Sequence, residues 1–232
     1  MVRKFSPTLE ARLDEIIISR LDTVAPAVAV MAILHGEIIL HRAWGCIDPD
    51  TKKISVTTDT LFDLASVTKL FTVTVFLQQV SAGKVTLDTP LVEIIPEFGV
   101  LSPRAMDGGQ DPHSKVVLPI PDTVRGQSVD PAQVNFFHLL THTSGLPAWR
   151  DVFNVAGPAP MPPTLRDPIA RAERWSRGLS AIYSYAFVAR PNEKVIYSDI
   201  GLMLLGEAVT RLTERPLDVA IREHVTAPLG LS

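Results

Sequence analysis

Residues 63–71 have the sequence Asp-Leu-Ala-Ser-Val-Thr-Lys-Leu-Phe, in which a loop passes into a strongly apolar helix. Ser66 and Lys69 are three positions apart, so a helix places their side chains on one face. A serine in the first helical turn lies among unpaired backbone N–H groups and at the positive end of the helix dipole, which favours developing negative charge. The pattern suits a serine nucleophile whose proton passes to the lysine, provided that burial or a nearby cation lowers the lysine pKa.

A second Ser-x-x-Lys pattern, Ser81–Lys84, shows that the spacing alone is weak evidence. Its serine stands at the predicted end of a helix, where Gly83 fits the C′ position. Nothing in that stretch activates the hydroxyl, so we interpret it as a helix end followed by a turn. The case for Ser66 therefore depends on its context.

The composition is that of a globular protein, with 46% apolar and 20% charged residues among 232 and a net charge of −3. No basic stripe indicates nucleic acid. The single cysteine, Cys46, excludes an internal disulfide, and His138 with His142 lacks the Glu of a His-Glu-x-x-His zinc motif, so we interpret that pair as structural. No apolar run is long enough to span a membrane, and none follows the basic N-terminus, which favours a cytoplasmic location. We expect neither a metal nor another cofactor.

Predicted helices alternate with loops rich in proline and glycine. Two apolar runs around His35-Gly36-Glu37 predict a β-hairpin. The helix over 67–81 is apolar almost all round, which is typical of a helix buried at the centre of a fold. Asp130 followed by Pro131 predicts a helix that begins there and ends near 143–145. The other predicted elements are strands over 27–34 and 38–44, helices over 8–22, 167–187, 200–213 and 216–227, and loops over 99–130 and 150–168.

Three segments occur in an order that resembles one enzyme family. They are Ser66–Lys69, His138–Pro147 with the sequence HLLTHTSGLP, and Tyr197–Asp199. Together they resemble the serine β-lactamase-like family, which includes class C β-lactamases, DD-peptidases and related esterases and transesterases. The resemblance covers nearly the whole chain, and the second segment is highly specific to that family.

The resemblance implies an α/β (α+β) fold of the β-lactamase/transpeptidase type, with a helical domain and an antiparallel sheet. Residues 1–65 would supply the N-terminal helix and a hairpin of the sheet, and residues 66–232 the mostly helical domain that carries the motifs. It also implies that Ser66 is the acylated nucleophile, Lys69 its base partner and Tyr197 the motif tyrosine that shares the proton. The N–H of Ser66 would form half of an oxyanion hole.

Asp199 departs from the family pattern, which has asparagine at this position. An ionised aspartate only accepts hydrogen bonds, whereas asparagine also donates. If its carboxylate faces Lys69, it belongs to the proton network, raises the lysine pKa and shifts proton acceptance to Tyr197. Alternatively, Asp199 caps the following helix and faces away from Lys69. The sequence leaves both alternatives open.

The resemblance further implies a C-terminal segment with more antiparallel strands and a third motif, for which the chain holds no candidate. We therefore expect this chain to be the N-terminal part of a split, cleaved or truncated enzyme. Its uncovered apolar hairpin would favour pairing with a complementing C-terminal segment or self-association.

Three functions fit these observations. The first is a serine hydrolase that acts on small carboxylic esters, as an esterase or transesterase. The second is hydrolysis of β-lactams or D-amino-acid peptides, which Asp199 and the lack of a recognisable signal peptide disfavour. The third is a catalytically inactive relative that serves as a binding or assembly module. Ser144 is interpreted as a turn residue, and Trp149 and Tyr185 as pocket or core residues.

Overall fold

The computed structural model describes residues 6–157 and 169–231. They fold into two compact units, of which the first ends at Leu64 and the second begins at Ala65. The first unit holds one helix and a β-hairpin, and the second is mostly helical. This combination of helices with small antiparallel sheets is the α+β class that the sequence predicts.

Helix α1 (Pro7–Ile18) is the first element of the N-terminal unit. Its N-cap is Ser6, whose Oγ accepts a hydrogen bond from the N–H of Leu9. The sequence predicts this helix as far as residue 22, and that end is wrong. Leu21 instead forms an isolated bridge with Ala25, because the chain has already turned.

Strands β1 (Ala27–Leu34) and β2 (Glu37–Gly45) form the predicted hairpin and pair antiparallel. The two residues between them, His35 and Gly36, have φ values of 51° and 81°. Two successive positive φ values define a type I′ turn, whose twist matches that of the flanking strands.

The hairpin is only partly covered. Leu40 and Trp44 are buried, and the indole Nε1 of Trp44 donates to Asp14 across 2.8 Å. Met31 and Ile33 are exposed, in a sheet that has two strands among the described residues. Exposed apolar side chains on a strand favour contact with another chain or segment.

The second unit contains seven α-helices and one two-stranded sheet among its described residues. They are α2 (Thr68–Ser81), α3 (Leu91–Ile94), β3 (Arg104–Ala105), β4 (Ser128–Val129), α4 (Phe136–Leu140), α5 (Val152–Val155), α6 (Arg171–Ile182), α7 (Asp199–Thr213) and α8 (Leu217–Ile221).

The centre of this unit is the packing of α2 against α7. Phe76 of α2 is fully buried, and its ring centroid lies 4.7 Å from that of Phe136 in α4. Among its other contacts, α7 is approached closely by α8 at Gly206, where an added Cβ would lie only 3.1 Å from Cδ2 of Leu217. Burial of these apolar side chains is the main source of the unit's stability.

Helix α2 is not buried on all sides, so that prediction is wrong for the described residues. Leu70 and Leu77 are 65% and 42% exposed. They are seven positions apart and therefore lie on one stripe of the helix, away from the face that packs against α7. The buried positions are Thr72, Val75, Phe76 and Gln79.

The helix predicted from Asp130 is two separate pieces. Asp130 caps a short 3-10 turn, but Val134 is extended, with φ −85° and ψ 124°. Its carbonyl accepts a hydrogen bond of 2.8 Å from the N–H of Leu91, so it cannot continue a helical ladder. Helix α4 begins anew after Asn135, which forms a capping box with His138.

Residues 99–130 form mostly a loop, as predicted, but this loop is anchored in the core. Arg104 is 1% exposed, and its guanidinium lies 4.1 Å and 4.8 Å from the rings of Phe98 and Phe187. It donates to the carbonyls of Phe98 and Tyr185 across 3.2 Å and 3.1 Å. Burial lowers the pKa of Arg104 to about 10, which still leaves the group protonated at neutral pH.

The remaining predicted helices are present with shifted ends. The helix predicted over 167–187 is α6, and the one over 200–213 is α7. The helix predicted over 216–227 consists of α8 followed by a π-helical turn, Arg222–Thr226. The loop predicted over 150–168 contains α5, and residues 158–168 lie outside the described residues. Among the helices of the described ranges, none has both the length and the apolar character to cross a membrane.

Candidate active site

Ser66 lies in a 3-10 turn, Ala65–Val67, that leads directly into α2. The sequence predicts it in the first turn of the helix itself, whereas the structure places it just before that turn. Ala65 has φ 44°, a left-handed conformation that is uncommon for a residue with a Cβ. The hydroxyl therefore stands at an irregular point of the backbone, where loop becomes helix.

Lys69 contacts the other three side chains of a polar cluster. Its Nζ lies 3.0 Å from Oγ of Ser66, in the i,i+3 contact that the sequence predicts. The same Nζ lies 2.7 Å from Oδ1 of Asp199, at the start of α7, and 5.1 Å from the centroid of the Tyr197 ring. The structure thus brings together all four residues that the sequence singles out.

The charge state of Lys69 follows from these neighbours. Burial by itself lowers the pKa of the ammonium, but contacts with Asp199 and then Tyr197 outweigh it, so that the pKa is raised above its ordinary value of 10.5. A lysine can accept a proton from serine only when its pKa is lowered. Lys69 is therefore an ammonium at neutral pH, with its positive charge beside the Ser66 hydroxyl.

The pKa of the Tyr197 phenol is shifted in the opposite direction. A hydrogen bond with Ser66, followed by one with Lys69, lowers the pKa of its phenol below the ordinary value of 10.0. Burial and the charge of Asp199 act in the opposite direction but are weaker. The side chain is 53% exposed, so an incoming substrate can reach it.

Hydrogen bonds to backbone carbonyls of residues 142–148 hold the segment that carries Tyr197. The N–H of Ile196 donates to the carbonyl of His142 across 2.8 Å, and the N–H of Asp199 donates to that of Ala148 across 2.9 Å. The hydroxyl of Ser198 donates to the carbonyl of Pro147 across 2.7 Å. Residues 142–148 therefore bond the chain both before and after Tyr197 and fix its position.

His142 contacts the Tyr197 ring and the backbone next to it. Its Nδ1 accepts a hydrogen bond of 3.1 Å from the N–H of Ser198, and its ring lies 4.7 Å from the ring of Tyr197, centroid to centroid. Burial and the charge of Lys69 lower the pKa of His142, which keeps the imidazole neutral. The sequence predicts a histidine that bonds the backbone or packs, and both contacts are present; stacking on a tyrosine far along the chain leaves no local signal.

Gly145 fixes the backbone conformation of residues 142–148. It has φ 74°, and an added Cβ would lie 2.1 Å from the carbonyl oxygen of Ala189. Ser144, beside it, is buried and accepts a hydrogen bond from the N–H of Leu146, so it shapes the turn as expected. His138 is likewise structural, since its Nδ1 accepts from the Asn135 N–H in the capping box.

Asp199 faces Lys69, and the alternative in which it caps α7 and turns away is wrong. The N-cap is Ser198, whose Oγ accepts a hydrogen bond of 3.0 Å from the N–H of Gly201. Because the serine satisfies the helix start, the aspartate in the first turn is free to pair with the lysine. A carboxylate in that turn is also favoured by the helix dipole.

The second Ser-x-x-Lys pattern is a helix end, as interpreted from the sequence. The N–H of Gly83 bonds to the carbonyl of Val80, and the N–H of Lys84 bonds to that of Gln79, at 3.0 Å and 3.1 Å. This pair of bonds, with Gly83 at φ 71°, is a Schellman motif.

Tyr185 packs against the hydrophobic core of the second unit. Tyr185 lies with its ring 5.8 Å from the guanidinium of Arg150, which pairs with Asp107. Trp149 is half-buried. Within residues 6–157 and 169–231, no group of three His, Cys, Asp or Glu side chains is arranged to hold a metal ion.

Known proteins resemble this chain along almost all of its length. The sequence model of the family described as Beta-lactamase matches residues 9–232. A protein of Burkholderia gladioli named Esterase EstB is 34% identical over 231 residues, which are 97% of this chain and 50% of that protein. The chain thus spans about half the length of this curated relative.

Solved structures show the same fold. A penicillin-binding protein homologue from Pyrococcus abyssi, described as octameric, matches 95% of this chain and 43% of its own, with a TM-score of 0.65 and 19% identity. EstCE1, described as a hydrolase with promiscuous acyltransferase activity, matches 96% of this chain and 51% of its own, with a TM-score of 0.64 and 23% identity. These matches confirm the β-lactamase/transpeptidase-like fold expected from the sequence.

Proposed function

The chain belongs to the β-lactamase family, and from this membership we propose that it is a serine hydrolase that transfers acyl groups from carboxylic esters through an acyl-enzyme. Ser66 is the nucleophile, Tyr197 its proton acceptor and Lys69 the cation between them. One observation carries this proposal: Nζ of Lys69 lies 3.0 Å from Oγ of Ser66 and 5.1 Å from the centre of the Tyr197 ring.

Acylation begins when Oγ of Ser66 attacks the carbonyl carbon of the ester and the phenolate of Tyr197 takes the hydroxyl proton. The carbonyl oxygen receives the electron pair and becomes an oxyanion, for which the N–H of Ser66 is the proposed donor. When the tetrahedral intermediate collapses, the C–O bond to the leaving group breaks. The alcohol departs with the proton from Tyr197 and leaves the acyl group on Ser66.

Deacylation repeats these steps with water or an alcohol as the acceptor. Tyr197 takes a proton from the acceptor as its oxygen attacks the acyl carbon, and returns that proton to Oγ of Ser66 as the ester bond to the serine breaks. Lys69 keeps its proton throughout and stabilises the phenolate by charge. This assignment follows from the carboxylate of Asp199 beside the ammonium, which disfavours release of the lysine proton.

Two observations favour esters as substrates. The relative with 34% identity is named an esterase. In addition, the carboxylate of Asp199 removes the amide donor that asparagine would offer to an amide substrate. Hydrolysis of β-lactams or D-amino-acid peptides is the alternative, and the description of the matching family as Beta-lactamase supports it.

Covalent labelling distinguishes the candidates. The purified protein is incubated with a fluorophosphonate probe and separately with a labelled penicillin, and mass added at Ser66 is located by peptide mass spectrometry. Ser66→Ala is the test variant, and Ser81→Ala is its matched control because it removes the serine of the other Ser-x-x-Lys pattern. Labelling by the phosphonate alone, lost only in Ser66→Ala, is the result expected of an esterase.

The other outcomes are equally informative. Labelling by both reagents at Ser66 identifies an enzyme that recognises penicillin. Labelling by neither, in protein shown to be folded by circular dichroism, contradicts the hydrolase proposal and supports a binding or assembly module. Equal loss of labelling in both serine variants would contradict the assignment of Ser66.

Further strands are the proposed partner of the hairpin. Met31 and Ile33 leave apolar surface on a two-stranded sheet, which a complementing C-terminal segment or a second copy of the chain would cover. The cytoplasmic location stays a prediction from the sequence.

A further inference from the structure

The charges of Lys69 and Asp199, next to the nucleophile, cancel each other. Oδ1 of Asp199 lies 2.7 Å from Nζ of Lys69, and that Nζ lies 3.0 Å from Oγ of Ser66. The carboxylate therefore sits within two hydrogen-bond lengths of the serine hydroxyl. A lysine paired with asparagine would carry one positive charge at this place, whereas the pair of Lys69 with Asp199 carries none.

The Asp199 side chain is partly exposed, although Oδ1, the oxygen that faces Lys69, is buried. The side chain of Asp199 is 34% exposed, so protein atoms shield its charge only in part. Water and salt weaken a charge at such a position without removing its effect on a ligand a few ångströms away. An anionic group on a substrate would therefore gain no net attraction from the pair of Lys69 with Asp199, whereas it would be attracted to a lysine paired with asparagine.

Two exposed apolar residues neighbour the catalytic residues in the sequence. Val195, two residues before Tyr197, is 77% exposed, and Val67, which follows Ser66, is also exposed. Exposure alternates along residues 195–198, so Val195 and Tyr197 face the same side of this extended stretch while Ser198 is buried. Apolar side chains in this position offer contact to a hydrocarbon acyl group and none to a carboxylate.

We propose that Asp199 is a specificity-determining residue that selects against acyl groups carrying a carboxylate, so that the site takes esters of neutral, apolar carboxylic acids. This inference rests on the proposed esterase function and adds the charge class of the acyl group to it. Asp199 acts on the substrate through its charge and is not the acceptor of the serine proton.

Two esters of equal acyl length and the same leaving group test the proposal: 4-nitrophenyl valerate, which is neutral, and mono-4-nitrophenyl glutarate, which is anionic. The measured quantity is the ratio of kcat/KM for the anionic ester to that for the neutral ester. It is compared in the wild type, in Asp199→Asn, and in Asp199→Glu, which keeps the charge. Asp218→Asn is the control, because it removes one exposed carboxylate elsewhere in the same unit.

The wild type is expected to prefer the valerate, and Asp199→Asn is expected to raise the ratio about 7- to 50-fold. Coulomb's law gives this range for unit charges roughly 7 Å apart at an effective dielectric constant between about 20 and 40. Asp199→Glu and Asp218→Asn should keep the wild-type ratio. Asp199→Ser provides a second neutral variant if Asp199→Asn fails to fold by circular dichroism.

A ratio that changes less than about twofold in folded Asp199→Asn or Asp199→Ser would overturn the proposal while leaving the esterase function intact. An equal change in Asp218→Asn would also overturn it, because the effect would then be one of net charge. A wild type that hydrolyses neither ester in a Ser66-dependent way contradicts the proposed function itself, and the selectivity with it.

Discussion

Lys69 and Asp199 join the starts of the two central helices of the second unit through an ion pair of 2.7 Å between Nζ and Oδ1. The pair holds the lysine as an ammonium and turns it towards Ser66 and Tyr197. In the proposed mechanism, proton transfer from the serine therefore depends on the phenol. The same pair links the packing of α2 on α7 to the geometry of the candidate active site.

Activity should rise with pH below the pKa of Tyr197. The folded protein holds this pKa below the ordinary value of 10.0, and the pKa of Lys69 above 10.5. Raising the pH therefore forms the phenolate first, while loss of the lysine proton reduces activity only at still higher pH. A profile of kcat/KM against pH for ester hydrolysis would show this ascending limb, and a limb that persists in Tyr197→Phe would contradict the assignment.

Tyr197→Phe should reduce kcat/KM by about 10²- to 10⁴-fold, the usual contribution of a general base. Tyr185→Phe is the matched control, because the Tyr185 hydroxyl is buried without a hydrogen-bond partner among the described residues. Removal of this hydroxyl should leave activity within about twofold of the wild-type value, and stability unchanged or slightly improved. Similar losses in both variants would indicate a general effect on folding.

Asp199→Asn should move the ascending limb of the pH profile to lower pH. The charge of Asp199 raises the pKa of both Tyr197 and Lys69, so its removal lowers both. A lower tyrosine pKa places more of the phenol in its ionised form at neutral pH, and the rate should rise in proportion. Rates of valerate hydrolysis across the pH range would measure this change, with Asp218→Asn as the control. An unmoved limb would show that the ion pair does not restrain the phenol.

Gly145→Ala should be far more harmful than Gly83→Ala, although both glycines have nearly the same φ, 74° and 71°. A Cβ at residue 145 meets the carbonyl oxygen of Ala189 at 2.1 Å, whereas one at residue 83 meets nothing within 4 Å. We expect a loss of about 3 kcal/mol or more in unfolding free energy for the first, and about 1–2 kcal/mol, the cost of the left-handed backbone, for the second.

Urea denaturation would measure both changes, and ester hydrolysis would measure their effect on the site. Only Gly145→Ala should impair activity in the folded protein, because residues 142–148 hold the segment of Tyr197. Equal losses of stability in the two variants would mean that the loop yields to the added methyl group.

Met31→Lys should reduce self-association and binding of a hydrophobic dye. Met31 is exposed on β1, directly opposite His41 on β2, so a charge there interrupts the apolar surface of the hairpin. His41→Lys adds the same charge at the neighbouring position without removing an apolar side chain and serves as the control. Sedimentation velocity and dye fluorescence are the measurements. A wild type that is monomeric and binds no dye would contradict the proposal that the hairpin awaits a partner.

Local patterns in the sequence predicted much of the site. The spacing of Ser66 and Lys69 depends on a single helix start, whereas Tyr197 is singled out only by the resemblance to the family. The hairpin followed from two apolar runs around His35 and Gly36. For the serine–lysine pair and the hairpin, the determining interactions lie within a few residues of one another, where sequence patterns carry most information.

The errors concern contacts between distant segments. Val134 interrupts a well-capped helix because its carbonyl pairs with Leu91, and the exposed face of α2 depends on what packs against it. The orientation of Asp199 was undecided because both Ser198 and Asp199 are good caps, and only the position of Lys69 across the helix pair distinguishes them. Tertiary contacts override local preference in all of these cases.

The buried guanidinium of Arg104 has a consequence for hydrogen exchange. It ties Phe98, Phe187 and the carbonyl of Tyr185 together, and the N–H of Asp107 bonds to the carbonyl of Phe187 across 2.8 Å. Opening of this segment would expose an unpaired cation and two aromatic rings at once. The amide of Asp107 should therefore exchange with deuterium only when the whole second unit unfolds, at the slow rate of the α2 and α7 interior.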